Sequence, residues 1–146
     1  PTATDLTGTY SGTHNIADRS AMAATAAGTC HLDTGPVYKR SSGNGLPSGA
    51  VGAKPKTTCT VAMVNIKHSS TMYKSVWWGL QAVADPFTGG NYGVSSYEQK
   101  NILVACADTR TTTFRVIVTS SGTFPNGSTT GASAYEEATL ACGTNP

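Results

Sequence analysis

Charge is scarce in this sequence. Of 146 residues, 10 are Lys or Arg and 8 are Asp or Glu, so only 12% carry charge, about half the usual share. The net charge is +2 and the basic residues are scattered, the longest cluster being Lys39-Arg40. That tells against the dense positive surface needed to gather nucleic-acid phosphates. Long hydrophobic runs are missing too: no stretch approaches the roughly 18 apolar residues of a membrane-spanning helix. Strong helix formers such as Leu, Glu, Lys and Gln are thin throughout. The one helix candidate is Asp18–Ala27, DRSAMAATAA. Asp18 could cap it, but its apolar face is only Met22 and alanines.

Chemistry-bearing motifs are equally sparse. There is no CxxC pair and no His at zinc-ligand spacing beside a Cys, so neither a metal nor a cofactor is expected. No G-x-S-x-G elbow is present to present a nucleophilic Ser. The acids Asp85, Glu98, Asp108, Glu136 and Glu137 are explained by solvated turns and strand ends. Glu136 and Glu137 are neighbours on a strand and point to opposite faces, so they cannot form a hydrolytic pair. His14, His31 and His68 each fall at the end of an expected strand and read as surface residues. The expectation is therefore that the protein is not an enzyme.

What is present is Thr, Ser and Gly, which suit strands and turns, and four cysteines: Cys30, Cys59, Cys106 and Cys142. An even count in a small chain of this kind reads as two disulfides and an oxidising compartment, so a secreted, extracellular protein. The chain opens at Pro1 in a polar Thr-rich segment, which reads as a mature or trimmed form. Cys30 ends one expected strand and Cys59 begins the next, so a hairpin would join them. That leaves Cys106–Cys142. If segments 99–107, 110–119 and 133–142 formed a flat meander, the outer two would lie roughly 9–10 Å apart. A disulfide cannot span that distance, so this pairing demands that the last strand cross to a second sheet.

Period-two alternation dominates. In Thr111–Thr119, TTTFRVIVT, Phe114, Val116 and Val118 share one face, and Thr113, Arg115, Ile117 and Thr119 the other. Asn101–Ala107, NILVACA, is apolar on both faces and reads as a central strand. Thr57–His68 starts with Cys59, Val61 and Met63 on one face, then switches to Val64 and Ile66, which suggests a bulge or burial on both sides. Ser133–Cys142 puts Ala138, Leu140 and Cys142 inward. Weaker strands are expected at Leu6–His14, Ala23–Leu32 and Thr71–Ala84. Three loops separate them: the Gly/Pro-rich 33–56, the aromatic-bearing 85–96, and 120–131, where Asn126-Gly127 signals a hairpin and Asn126-Gly127-Ser128 is a glycosylation sequon. Residues 1–5 read as a flexible tail or an arm able to add a strand to a partner. Together these give one domain over 1–146, all-β, with about seven strands and two disulfides. The architecture expected is an antiparallel β-sandwich of immunoglobulin-like or Greek-key type, or a small barrel.

The two tryptophans stand side by side in Ser75–Gln81, SVWWGLQ. Read as a strand, Trp78 shares a face with Val76, Leu80 and Ala82 and belongs in the core. Trp77 shares a face with Tyr73, Ser75, Gly79 and Gln81 and is exposed. With Phe87, Tyr92 and Tyr97 from the following loop, Tyr73, Trp77 and Gln81 make a candidate binding patch, since open aromatic faces stack on sugars and anchor protein interfaces. The expected function is a secreted module contacting a carbohydrate or an extracellular protein, with no nucleic acid and no membrane span. The alternative is a structural or adaptor subunit of an extracellular assembly, such as a fibre or a secreted toxin particle, self-assembling by strand addition. A protease inhibitor or a hydrolase ranks behind both.

Overall fold

The computed structural model describes residues 3–5, 17–19, 28–40 and 46–144. Among them the chain is all-β and antiparallel. Two short N-terminal strands, β1 (Ala3–Asp5) and β2 (Ala17–Arg19), precede nine others: β3 (Cys30–Asp33), β4 (Tyr38–Arg40), β5 (Ala50–Ala53), β6 (Lys56–Val76), β7 (Gly79–Ala82), β8 (Phe87–Glu98), β9 (Ile102–Ala105), β10 (Asp108–Thr123) and β11 (Thr129–Gly143). They form a large sheet of order β1-β3-β6-β10-β11-β2, with β7 and β8 also paired to β6, and a small sheet of order β4-β5-β9. Neither sheet closes on itself, so the architecture is the sandwich and not the barrel.

The 21-residue β6 is the common element. One of its edges pairs with β3 through Lys56–Cys59 and then with β10 through Asn65–Lys74. Its other edge pairs with β8 and, near its end, with β7. A strand this long keeps its apolar side inward only if its alternation changes phase where the neighbours change. It does so: Thr57, Cys59 and Met63 are buried, then Ile66, His68, Ser70 and Met72. The β8 ladder breaks register between Thr58 and Met63, which is the bulge the sequence suggested. Val64, next to the switch, is 49% exposed.

Phe114, Val116 and Val118 of β10 are fully buried, as their alternation required, and each such side chain stabilises the fold by roughly 1.5–3 kcal/mol. They share one core with Leu32, Ile66 and Met72 of the large sheet and with Val51, Ala53, Ile102 and Val104 of the small one. Ala132, Ala134 and Cys142 supply the buried positions of β11, with Ala138 and Leu140 packed at the margin.

Several expectations require correction. Among the described residues there are eleven strands where about seven were expected, in part because two expected loops carry strands. Segment 33–56 holds β4 and β5, and residues 87–96 of segment 85–96 belong to β8. Segment 120–131 is a tight hairpin. Phe124 N–H donates to the Ser128 carbonyl (2.8 Å), and Asn126 Oδ1 accepts from the Ser128 amide (3.0 Å), so the Asn-Gly signal holds. The strand at 101–107 is not central. It is the edge of the small sheet, with Ile102 and Val104 buried and Leu103 and Ala105 exposed. The N-terminal arm pairs with the chain's own β3, Ala3 opposite Asp33. The strand expected at Leu6–His14, most of the helix candidate Asp18–Ala27 and the start of Ala23–Leu32 lie outside the described residues.

Both disulfides pair as expected, Cys30–Cys59 and Cys106–Cys142; two such bridges are typical of extracellular proteins. Cys30 and Cys59 face each other across the β3–β6 ladder. The topological demand of the second bridge is met in a different way from the one foreseen. β11 stays beside β10, and it is β9 that lies in the other sheet, so Cys106–Cys142 ties the small sheet to the large one. It closes a separation of 36 residues, and loop entropy then gives a stabilisation of about 4 kcal/mol. Replacing both cysteines with Ser should lower the unfolding free energy by that amount in urea titrations while the Cys30–Cys59 bridge remains intact.

Candidate functional site

Trp77 and Trp78 are not on a strand. Val76 pairs with Gly79, so the two indoles are the whole connection of the β6–β7 hairpin. Gly79 takes a φ of 136°, a conformation that side-chain-bearing residues rarely adopt, which lets the chain leave so tight a turn. Trp77 is 92% exposed, as expected, but Trp78 is 61% exposed and does not enter the core. The alternation argument failed because it carried a strand through a turn. The rings meet edge to face, centroids 5.1 Å apart.

The remaining residues of the expected patch are spread along β6 and its partners. Tyr73 lies opposite Arg115 on β10 and Ala82 on β7, and Gln81 lies opposite Lys74; both are half-buried. Phe87 and Tyr97 pack against the core. Tyr92 is 73% exposed but sits opposite Asn65, eleven strand positions from Val76, roughly 36 Å along β6 at ~3.3 Å per residue. The six residues therefore do not form one surface.

Tyr92 instead marks a second place. Residues 66–69 of β6, 88–92 of β8 and Thr119 and Ser121 of β10 line an open cavity of about 440 Å³. Exposed Lys67, Ser69, Thr88, Gly90, Asn91, Thr119 and Ser121 set its character: hydroxyls, one amide and one ammonium. Its floor includes Gly89 and Gly90. A Cβ on Gly90 would strike the Ile66 carbonyl oxygen, and one on Gly89 the Tyr97 hydroxyl. Gly90 thus lets β8 come close to β6, and Gly89 leaves room for the Tyr97 hydroxyl. In the sequence GGNY has the composition of a loop, whereas in the fold it is strand.

Behind the cavity lies a buried polar chain that sequence reasoning missed. His68 is 2% exposed, which corrects its reading as a surface residue: it lies inside β6, in phase with Ile66 and Met72. Its Nε2 is 2.7 Å from Thr57 Oγ1, which is 2.7 Å from Ser120 Oγ. Ser70 Oγ donates to Gln99 Oε1 (2.7 Å), and Gln99 Nε2 donates to the Phe87 carbonyl and to Asn101 Oδ1. Tyr97 meets the imidazole edge to face at 4.9 Å. Ser120 is fully buried, and the chain pairs the Thr57 and Ser120 hydroxyls with one nitrogen of His68, as buried polar groups require, while His68 Nδ1 is left without a hydrogen-bond partner among the described residues. At the surface, Asp108 pairs with Arg110 (2.8 Å) and Glu137 with Arg115 (3.2 Å). Hydrogen bonds from the Arg110 amide and guanidinium hold the Asp108 carboxyl below its usual range. Among the described residues no group of three or more His, Cys, Asp or Glu could hold a metal, and no helix is long and apolar enough to cross a membrane.

These features define a disulfide-bonded, two-sheet β protein with two separate surface features, an aromatic hairpin tip and a polar open cavity. Comparison with protein-family models, curated proteins and solved structures finds no match.

Burial lowers the His68 pKa to about 4, with Gln99 pulling weakly the other way. The folded chain keeps this imidazole neutral, whereas in the unfolded chain it protonates near 6.5. Stability is thus complete above pH 6.5 and declines as pH falls from there toward 4, by about 3 kcal/mol. Urea titrations at about pH 7, 5.5 and 4 should show this loss in the native sequence and a flatter profile in His68→Gln.

Proposed function

We propose that the protein is a secreted carbohydrate-binding module whose ligand lies in the cavity beside Tyr92. The observation that carries this reading is the pairing of an exposed tyrosine ring with a glycine floor and neutral hydrogen-bonding walls. A sugar presents apolar C–H faces that stack on an aromatic ring and hydroxyls that need donors and acceptors around them. Ser69, Thr88, Asn91 and Ser121 offer both, and the volume lies within the range of small-molecule sites. A single ammonium, Lys67, among hydroxyls suits a neutral or weakly acidic saccharide better than a polyanion. Scarce surface charge agrees with a ligand recognised by stacking and hydrogen bonds.

The test is a glycan array followed by titration of the best saccharide. Tyr92→Ala should weaken binding about tenfold, the equivalent of ~1.4 kcal/mol, without lowering the melting temperature, while Tyr92→Phe retains most of the affinity. Affinity unchanged in Tyr92→Ala would sink the proposal.

A second reading rests on β8. This strand of 12 residues pairs with β6 alone among the described residues and carries one charge, Glu98. A long, nearly uncharged edge is a template for strand addition, which is the adaptor alternative. A solution mass that rises with concentration, and stays monomeric when Ser95 and Ser96 on that strand are replaced by Lys, would favour it over the binding module.

A further inference from the structure

The Trp77–Trp78 tip lies far from the Tyr92 cavity and has no role there. We propose that it seats the protein at the interface of a lipid bilayer containing anionic phospholipid. Every residue from Trp77 to Leu80 is exposed, and the tip holds the chain's two tryptophans and Leu80, which is 38% exposed. The tip is convex, a two-residue turn at the end of a β-ribbon. A convex apolar knob is buried most readily in a soft apolar phase, and indole is the side chain most at home between headgroup and hydrocarbon. The edge-to-face contact fixes the rings against each other, which leaves no shared flat platform for a sugar.

What lies beside the tip supplies the polar half of such a site. Lys74, Ser75 and Val76 of β6, with Arg110 to Thr113 of β10 and Thr144, line an open cavity of about 390 Å³. Lys74 Nζ donates to the Thr144 carbonyl (3.1 Å), a neutral partner, and Arg110 meets Asp108 through Nε. Lys74, whose partner is a neutral carbonyl, a guanidinium already paired with the Asp108 carboxylate, and a row of hydroxyls adjoin the apolar knob, in the order of a bilayer surface: phosphate oxygens outermost, glycerol and hydrocarbon beneath. The knob enters, and the cavity takes the headgroup phosphate. This is attachment to a membrane surface through one small hairpin, with no segment crossing it.

Because both tryptophans are at the tip, tryptophan emission, excited selectively over tyrosine, reports this site. The experiment uses the full, disulfide-bonded chain with vesicles of phosphatidylcholine, with and without a minor fraction of phosphatidylglycerol. Phosphatidylglycerol should bring a blue shift, protection from acrylamide and co-sedimentation. Binding should fall about fivefold in Lys74→Gln, the effect of one basic residue at an anionic surface, and should weaken with added salt. Trp77→Ser/Trp78→Ser should abolish co-sedimentation at an unchanged melting temperature. If Lys74→Gln proves unstable, Arg110→Gln and the salt series carry the same test. No shift with either vesicle, or a shift that ignores phosphatidylglycerol and salt, overturns the proposal. So does a shielded emission in lipid-free protein with a mass that rises with concentration, which would make the occupant a second copy.

Discussion

The change of phase inside β6 is the constraint on which the rest of the structure depends. A strand of 21 residues outruns any one neighbour. At its start it lies between β3 and β8, and further on between β10 and first β8, then β7. With a strict period of two, the face that buries Thr57, Cys59 and Met63 would have sent Ile66 and Met72 to solvent. The extra step near Val64 returns them to the core. Because of it, one strand can serve both the disulfide end of the sheet and the valine- and phenylalanine-rich end.

The same long strand sets the distances between surface features. Its middle, with β8 and β10, forms the walls of the Tyr92 cavity. Its far end runs out into the tryptophan hairpin. The aromatic tip and the polar cavity therefore lie at different points along one strand. The second disulfide fastens the small sheet through Cys106 to the end of β11.

Much of this was legible in the sequence, for reasons that differ by element. Phe114, Val116 and Val118 were plain because β10 is buried on one face only and alternates cleanly. The disulfide pairing followed from strand order and from the reach of a Cys pair. The phase change showed in Val61, Met63, Val64 and Ile66. The tryptophan turn was not legible, because two indoles carry no turn signal and only Gly79, after them, marks the reversal. The small sheet was hidden for a related reason. β4 and β5 have three and four residues, too few for a period, and Gly52 reads as a loop residue. In the fold it is demanded by close packing, since a Cβ there would lie 2.7 Å from the Ile102 carbonyl oxygen. His68 was misplaced because β6 was cut in two at the point where it is in fact continuous. The Tyr92 cavity required the pairing of β8 with β6, which no local pattern in GGNYG states.

Native-state amide hydrogen exchange tests the central position of β6 most directly. The account predicts that amides from Ile66 to Tyr73 exchange only through global unfolding, among the slowest in the protein, while Trp77 to Gly79 exchange freely and β8 falls between. Exchange in the middle of β6 as fast as along β8 would contradict it. The strand would then open locally at its bulge, and it could not be the rigid element that holds the two surfaces apart.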